Sequence, residues 1–418
     1  MFEKDNWHEI YVVLSKNKIR TALTAFGVFW GIFMLLVMMG AGSGLQHGVM
    51  DNFSSRATNS MFLWTQRTTI PYKGFPQGRR YNFNNDDTQA MLDNIPEIKY
   101  IAPRGQLGGY RGGNNVIRGL KAGAFSVNGD MPDFFKINPF KILRGRLIND
   151  LDIGEYRKVA AIGKRVYEVL FEPNENPIGK AIQINGVYFT VVGVFDNLHS
   201  GNGDNEESQT IFIPFTTFQR AFNWGNIVGW YSITSQSDVP VSEMEQKVLK
   251  LMAERHSISP DDKQAFGHWN MEKEFKKIQG LFSGIHALIW IVGLGTLIAG
   301  VIGVSNIMLV TVKERTKEFG IKRALGATPF SIILQIVMES ILLTSIAGIL
   351  GLIIGVFTVE GINMLMQGNE GGMFSNPEVD IDIALKTIAI MVVAGAFAGF
   401  LPANRAVRIR PIDALRTE

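Results

Sequence analysis

Residues 312–327 read VKERTKEFGIKRALGA, a compact run in which Glu314, Arg315, Lys317, Glu318, Lys322 and Arg323 mix both signs of charge. On a helix, Glu314 shares a face with Lys317 or Glu318, and Ile321 with Leu325, because residues three and four apart are neighbours. Charges so placed break no bonds. They make ion pairs and a surface on which a soluble partner can dock, the plainer alternative being a solvated, positively charged loop. A second ionisable group, Glu339, lies within an apolar stretch, where a carboxylate is by default a functional hypothesis. Residues 329–359 outrun the hydrocarbon core at 1.5 Å per residue, so Glu339 reads as an interfacial or bundle-facing carboxylate. No second carboxylate recurs in the other apolar stretches to form a proton relay with it.

Other chemistry is excluded by composition and spacing. Cysteine is absent, which removes disulfides, thiol catalysis and cysteine metal sites. The histidines, His8, His47, His199, His256, His268 and His286, have no metal-ligand spacing. Neither Gly163-Lys164 nor Gly179-Lys180 belongs to a GxxxxGK[ST] phosphate loop. Residues 108–113 are glycine-rich but read as a turn, and residues 201–208 as a solvated loop lacking the calcium pattern. No catalytic, cofactor-binding or metal-binding residue is assigned. A net charge of +3 is too near neutral for a nucleic-acid binder.

The elements that must position these charges are membrane spans. Residues 21–42, 284–312 and 340–359 carry no formal charge, and residues 384–404 only Lys386. About 20 mostly apolar residues cross a bilayer. The segmentation is therefore a first span at 21–42, a second at 284–312, a third at 329–360 and a fourth at 384–404. A cytoplasmic coupling helix at 313–328 joins the second and third. The first span exceeds the apolar core of a signal peptide and reads as uncleaved. Residues 1–20 form a cytoplasmic amphipathic helix, capped at Asp5 or Asn6, with Trp7, Ile10, Tyr11 and Leu14 on one face.

Orientation follows the basic residues of the short segments. Lys4, Lys16, Lys18 and Arg20 precede the first span, Lys313 to Arg323 follow the second, and Arg405, Arg408, Arg410 and Arg416 lie in the tail at 405–418. The loop at 361–383 has no Lys or Arg but carries Glu370, Glu378, Asp380 and Asp382. Both termini and the coupling helix are thus expected in the cytoplasm, with residues 43–283 outside. The pairs Gly27/Gly31, Gly351/Gly355 and Gly395/Gly399 fit close helix packing within or between chains.

Outside the membrane, 61–64, 100–102, 159–162, 181–184, 188–195 and 231–234 read as strands, and Asn185-Gly186 as a hairpin turn. A helix opens at Asp86 and Asp87 and another follows Ser242 as its cap. The outer α/β parts flank a β-rich centre. The fold class is an α-helical membrane protein with four transmembrane helices and a large extracytoplasmic α/β domain.

At this point a resemblance becomes specific. The run from Glu314 through Ala327 resembles the ERT-x-E-x-G-I-x-R-A-L-G-A signature of the MacB/FtsX-type ABC permeases, with Phe319 where that family more often has Ile. The tail residues Pro402, Ala403, Ala406, Pro411, Ala414, Leu415 and Arg416 are similar to its closing pattern. Gly145-Arg146, Leu170-Phe171, Pro177 to Lys180, Ile184 to Gly186, Phe189 to Val194 and Ile213-Pro214 resemble the MacB periplasmic core. The resemblance implies a porter part at 50–110 and 225–280 and an inserted sabre part at 111–224. It implies an inner-membrane permease, homodimeric or paired with a similar chain, that transmits ATPase motion to the periplasm and expels cargo. MacB carries its ATPase on the same chain. Here ATP and magnesium are expected on a separate ATPase subunit, with an adaptor and an outer-membrane channel as further partners. Glu314, Arg315, Lys317, Glu318, Lys322 and Arg323 are the expected coupling residues. Within the same family, a lipoprotein-releasing or FtsX-type hydrolase-regulating permease is the alternative. A membrane-anchored sensor is the reading outside it. Cargo does not follow from these residues.

Overall fold

The computed structural model describes residues 18–54, 57–109, 112–198, 206–366, 374–378 and 380–408. The amphipathic helix expected before residue 18, and the tail motif from Arg410 onward, lie outside the described residues. In chain order the first elements are α1 (Lys18–Ser54), β1 (Ser60–Thr65), β2 (Phe83–Asn84), α2 (Asn85–Asn94), β3 (Ile98–Gln106), β4 (Asn114–Arg118) and β5 (Lys121–Asp130). Next come α3 (Phe134–Ile137), β6 (Lys141–Gly145), α4 (Asp150–Gly154), β7 (Val159–Gly163), α5 (Lys164–Leu170), β8 (Ala181–Ile184), β9 (Val187–Asp196), β10 (Thr210–Pro214) and α6 (Phe215–Ala221). The chain continues through β11 (Ile227–Val228), β12 (Trp230–Ser235), α7 (Val241–Arg255), β13 (Phe266–Asn270), α8 (Met271–Glu314), α9 (Thr316–Ala324), α10 (Pro329–Met366) and α11 (Ile381–Val407).

Among the described residues two compact units result, one within 49–279, the other holding the rest. In the first, β3, β12, β1 and β13 form consecutive antiparallel pairs. Met61 and Leu63 alternate on β1 and bury one face against Met91 of α2 and Val248 and Met252 of α7. α2 is closed by a capping box in which Asn84 and Asp87 bond each other's backbone N–H groups. The helix expected to be capped by Ser242 begins one residue earlier. Pro240 takes the cap position, without a side-chain cap bond.

Strands β4, β5, β7, β8, β9 and β10 close a ring, because β10 pairs with β7 on one side and with β5 on the other. β6 adds to β9. The ring joins the first sheet at Gly105↔Gly129 and Gln106↔Asn128. Its interior is filled by Val116, Val127, Ile162, Ile182, Val191 and Ile211. Between β8 and β9, Asn185 and Gly186 adopt φ of 42° and 91°, the double left-handed geometry of a tight hairpin turn.

The second unit contains the helices long and apolar enough to cross a membrane, α1, α8, α10 and α11. All extend past the apolar windows, since a helix keeps its backbone bonds beyond the hydrocarbon as long as no breaker intervenes. α1 runs on to Ser54 past residue 42, α8 begins at Met271 ahead of residue 284, and α10 reaches Met366. Glycines let these helices touch. A Cβ at Gly27 would stand 3.2 Å from Gly300 Cα, and one at Gly31 3.3 Å from Leu297 N, on α8. Gly351 and Gly355 bring α10 onto α1, at 2.7 Å from Phe29 O and 3.1 Å from Leu36 Cβ. Gly395 and Gly399 bring α11 onto α10, at 3.0 Å from Ile341 Cα and 2.9 Å from Val337 Cα. Each pair therefore packs against a helix of the same chain.

Candidate functional site

The charged run folds into an elbow. α8 stops at Glu314, Arg315 leaves helical geometry at φ −94° and ψ 12°, and α9 restarts at Thr316. Gly320 does not stop the helix. Helix α9 passes through Gly320, which is buried, and continues to Ala324. Tertiary packing outweighs the ~1 kcal/mol that a helical glycine costs. The end is set instead by Gly326, at φ 100°. Ala327 N donates to Lys322 O at 3.0 Å and Gly326 N to Arg323 O at 3.1 Å, which close the last turn. Pro329 then opens α10 at the position where a missing N–H costs nothing.

Phe319 anchors the elbow. It is 1% exposed and shares one buried cluster with Val312 of α8, Ile332 and Ile336 of α10 and Ala403 and Ala406 of α11. The Arg315 guanidinium lies 4.9 Å from its ring centroid.

Arg315 turns inward. Its Nη1 donates to Glu339 Oε1 at 2.8 Å, and its Nε and Nη2 donate to the two oxygens of Glu318 at 2.8 and 2.7 Å. Glu339 is 2% exposed. Lys322 Nζ continues the chain at 3.4 Å from Glu318 Oε1 and 3.4 Å from Gln335 Oε1. Two cations and two carboxylates thus compensate one another at the boundary of an apolar bundle. Burial works against the charge of Arg315, but the bonds to Glu318 and the charge of Glu339 outweigh it and raise its affinity for the proton. Arg323 takes a separate role. Its Nη1 donates to Val407 O at 2.7 Å, satisfying an open carbonyl in the last turn of α11.

The six residues singled out by sequence therefore divide. Arg315, Lys322 and Arg323 tie the elbow to α10 and α11, and Glu318 bridges Arg315 and Lys322 within it. Glu314 and Lys317 are exposed. Sequence reasoning missed that Arg315 is the counter-ion of Glu339. The signal was an arginine in the elbow that leads into α10, outside the apolar stretches themselves. Of the histidines, His256 Nε2 lies 2.8 Å from Asp87 Oδ2 and His268 Nδ1 2.6 Å from Glu245 Oε1, both in the outer unit. Those ties were also not legible from spacing.

The chain matches the MacB-like periplasmic core domain over residues 21–251 and the FtsX-like permease C-terminal region over residues 290–411. It is 29% identical over 407 residues to the pyoverdine export ATP-binding/permease protein PvdT of Pseudomonas putida, covering 96% of this chain and 58% of that protein. It is 27% identical over 415 residues to the macrolide export ATP-binding/permease protein MacB of Bdellovibrio bacteriovorus, covering 99% of this chain and 62% of that one. The chain thus spans under two thirds of the length of these relatives. Among solved structures, it is similar to the periplasmic region of MacB from Actinobacillus actinomycetemcomitans, with a TM-score of 0.44 and 19% identity over 55% of this chain and 97% of that one. With the core-domain match covering more than half of the sequence and the permease match following it, the chain belongs to the MacB/FtsX-type ABC transporter permeases.

Proposed function

We propose that this chain is the membrane subunit of an ATP-driven exporter, and that a separate ATPase subunit docks on the elbow and moves the outer domain to expel cargo. Two chains, or this chain and a similar permease, form the working unit, with the termini in the cytoplasm. An adaptor and an outer-membrane channel carry cargo onward. The relatives are named as export ATP-binding/permease proteins, and these 418 residues contain no phosphate loop to bind ATP themselves.

The observation that carries the reading is the division of the elbow into a held face and an open one. Arg315 and Arg323 fix it to α10 and α11. Ile321 and Leu325, 43% and 84% exposed, lie on the elbow with the exposed Glu314 and Lys317. An apolar patch rimmed by charge on a fixed support suits a protein partner. Push applied there meets a bundle braced by Phe319 and enters α8, one helix from Met271 to Glu314. Packed helices carry energetic coupling between sites.

Affinity purification from detergent tests this. The unmodified chain is expected to retain a nucleotide-hydrolysing subunit, and Leu325→Asp to lose it while inserting normally. Retention of a signalling kinase in place of an ATPase, or equal retention by the variant, would refute the docking assignment.

A further inference from the structure

α7 and α8 begin beside each other, and side chains at the start of α8 reach across to α7. Pro240 precedes α7 and offers no side-chain acceptor for the open N–H groups of that helix. Glu272 of α8 supplies one, its Oε2 accepting from Val241 N at 2.6 Å. α8 itself is capped by Asn270, whose Oδ1 accepts from Lys273 N at 3.0 Å. In the opposite direction, Lys273 Nζ donates to Glu245 Oε2 on α7 at 2.6 Å, and Asn270 Nδ2 donates to the same oxygen at 2.9 Å. Glu245 is 2% exposed. Its Oε1 makes no directed hydrogen bond, but His268 Nδ1 of β13 stands 2.6 Å away. Burial disfavours the Glu245 carboxylate, yet Lys273, Asn270 and His268 hold its pKa below the ordinary range.

This cluster stands where it matters mechanically. β13 ends at Asn270 and α8 begins at Met271, with no linker between them. A strand-to-helix junction still has two soft dihedrals per residue about which it can swivel. Side-chain ties across to α7 restrain that swivel, and removing one partner of a buried ion pair is costly.

We propose that Glu245, Lys273 and Glu272 form a clamp that locks the base of α8 to the outer domain, so that displacement of α8 reaches the domain instead of being lost in rotation at Asn270. The clamp rests on the coupling function proposed above. Lys273 and Glu272 are positioning residues; neither is placed in contact with cargo or nucleotide.

The chain has no cysteine, so labels can be placed without competing thiols. Ile19→Cys on α1 and Leu120→Cys at the β4–β5 tip, 79% and 106% exposed, would carry spin labels. Their distance distribution is read in nanodiscs with the co-purifying ATPase, without nucleotide and with ATP plus vanadate. The labelled chain is expected to shift its distribution with nucleotide. Lys273→Met is expected to lose that shift while the ATP hydrolysis rate per folded chain stays unchanged, and Lys273→Arg to keep it. Glu272→Ala provides a second variant at the other half of the clamp. An equal shift in Lys273→Met and Glu272→Ala would overturn the clamp and leave the coupling function standing. No shift in the unmodified clamp would overturn both.

Discussion

At the scale of single residues, Glu339 and Arg315 illustrate how a charge survives in an apolar bundle. Neither is favourable there alone, and each is held by the other. Removing one should cost more than removing both. Arg315→Met takes the guanidinium away from the buried Glu339 and is expected to destabilise the chain by about 3–5 kcal/mol, the usual range for a broken buried pair, while Glu339→Leu, which leaves Arg315 its two bonds to Glu318, is expected to cost less. Arg315→Met/Glu339→Leu is expected to regain much of that loss. Thermal melts of the four proteins of this cycle in one detergent provide the comparison, and additive losses would contradict the pairing. The importance of Glu339 was legible from its setting alone, because a carboxylate stands out in an uncharged run. Its partner was not, because 24 residues and a change of helix separate the two, and spacing does not say which arginine of the elbow turns inward. Lys273 and Glu245 escaped notice for the same reason. Charges near helix starts look like ordinary solvated caps until the facing helix is known.

At the scale of elements, the small-residue spacings predicted close packing, and the contacts locate it. Gly351 faces Phe29 O, where an added Cβ would stand at 2.7 Å, too close for either backbone to stay in place. Gly361, on the same helix, meets nothing within 4 Å. Gly351→Ala is therefore expected to destabilise by roughly 1–3 kcal/mol through overpacking. Gly361→Ala is expected to be neutral or slightly stabilising through its better helix propensity. Equal melting temperatures for the two variants would mean that α1 and α10 do not pack this way. Spans and strands were legible because a charge-free run and an alternating run each leave a periodic signature, as at 21–42 and in Met61 and Leu63. Helix ends were not. Gly320 looks like a stop but lies buried within α9, and the real stop at Gly326 depends on a left-handed backbone angle.

At the scale of the molecule, the outer unit is held together by buried carboxylates. Burial raises the pKa values of Asp87, Asp152 and Glu245. Bonds from His256 and Arg255, from Arg146, and from Lys273 more than reverse this, leaving each below its ordinary value. Groups depressed by folding contribute stability that is full above the unfolded pKa, about 4 for a carboxyl, and is lost as pH falls through the folded value. These three groups should accordingly make the denaturant midpoint of the intact chain, read by tryptophan fluorescence, decline as pH falls below about 4. A midpoint that rose as pH fell from about 4 to about 3 would contradict the ionised assignment.

The central claim is that work done by another polypeptide enters this one through the elbow, and the rate of ATP hydrolysis tests it most directly. The purified ATPase subunit would be measured alone, with the intact chain in nanodiscs, and with Glu314→Ala/Arg315→Ala. The account expects stimulation by the intact chain and its loss, about tenfold for ~1.4 kcal/mol of interface free energy, with the variant at equal folded amount. Full stimulation by the variant would contradict it.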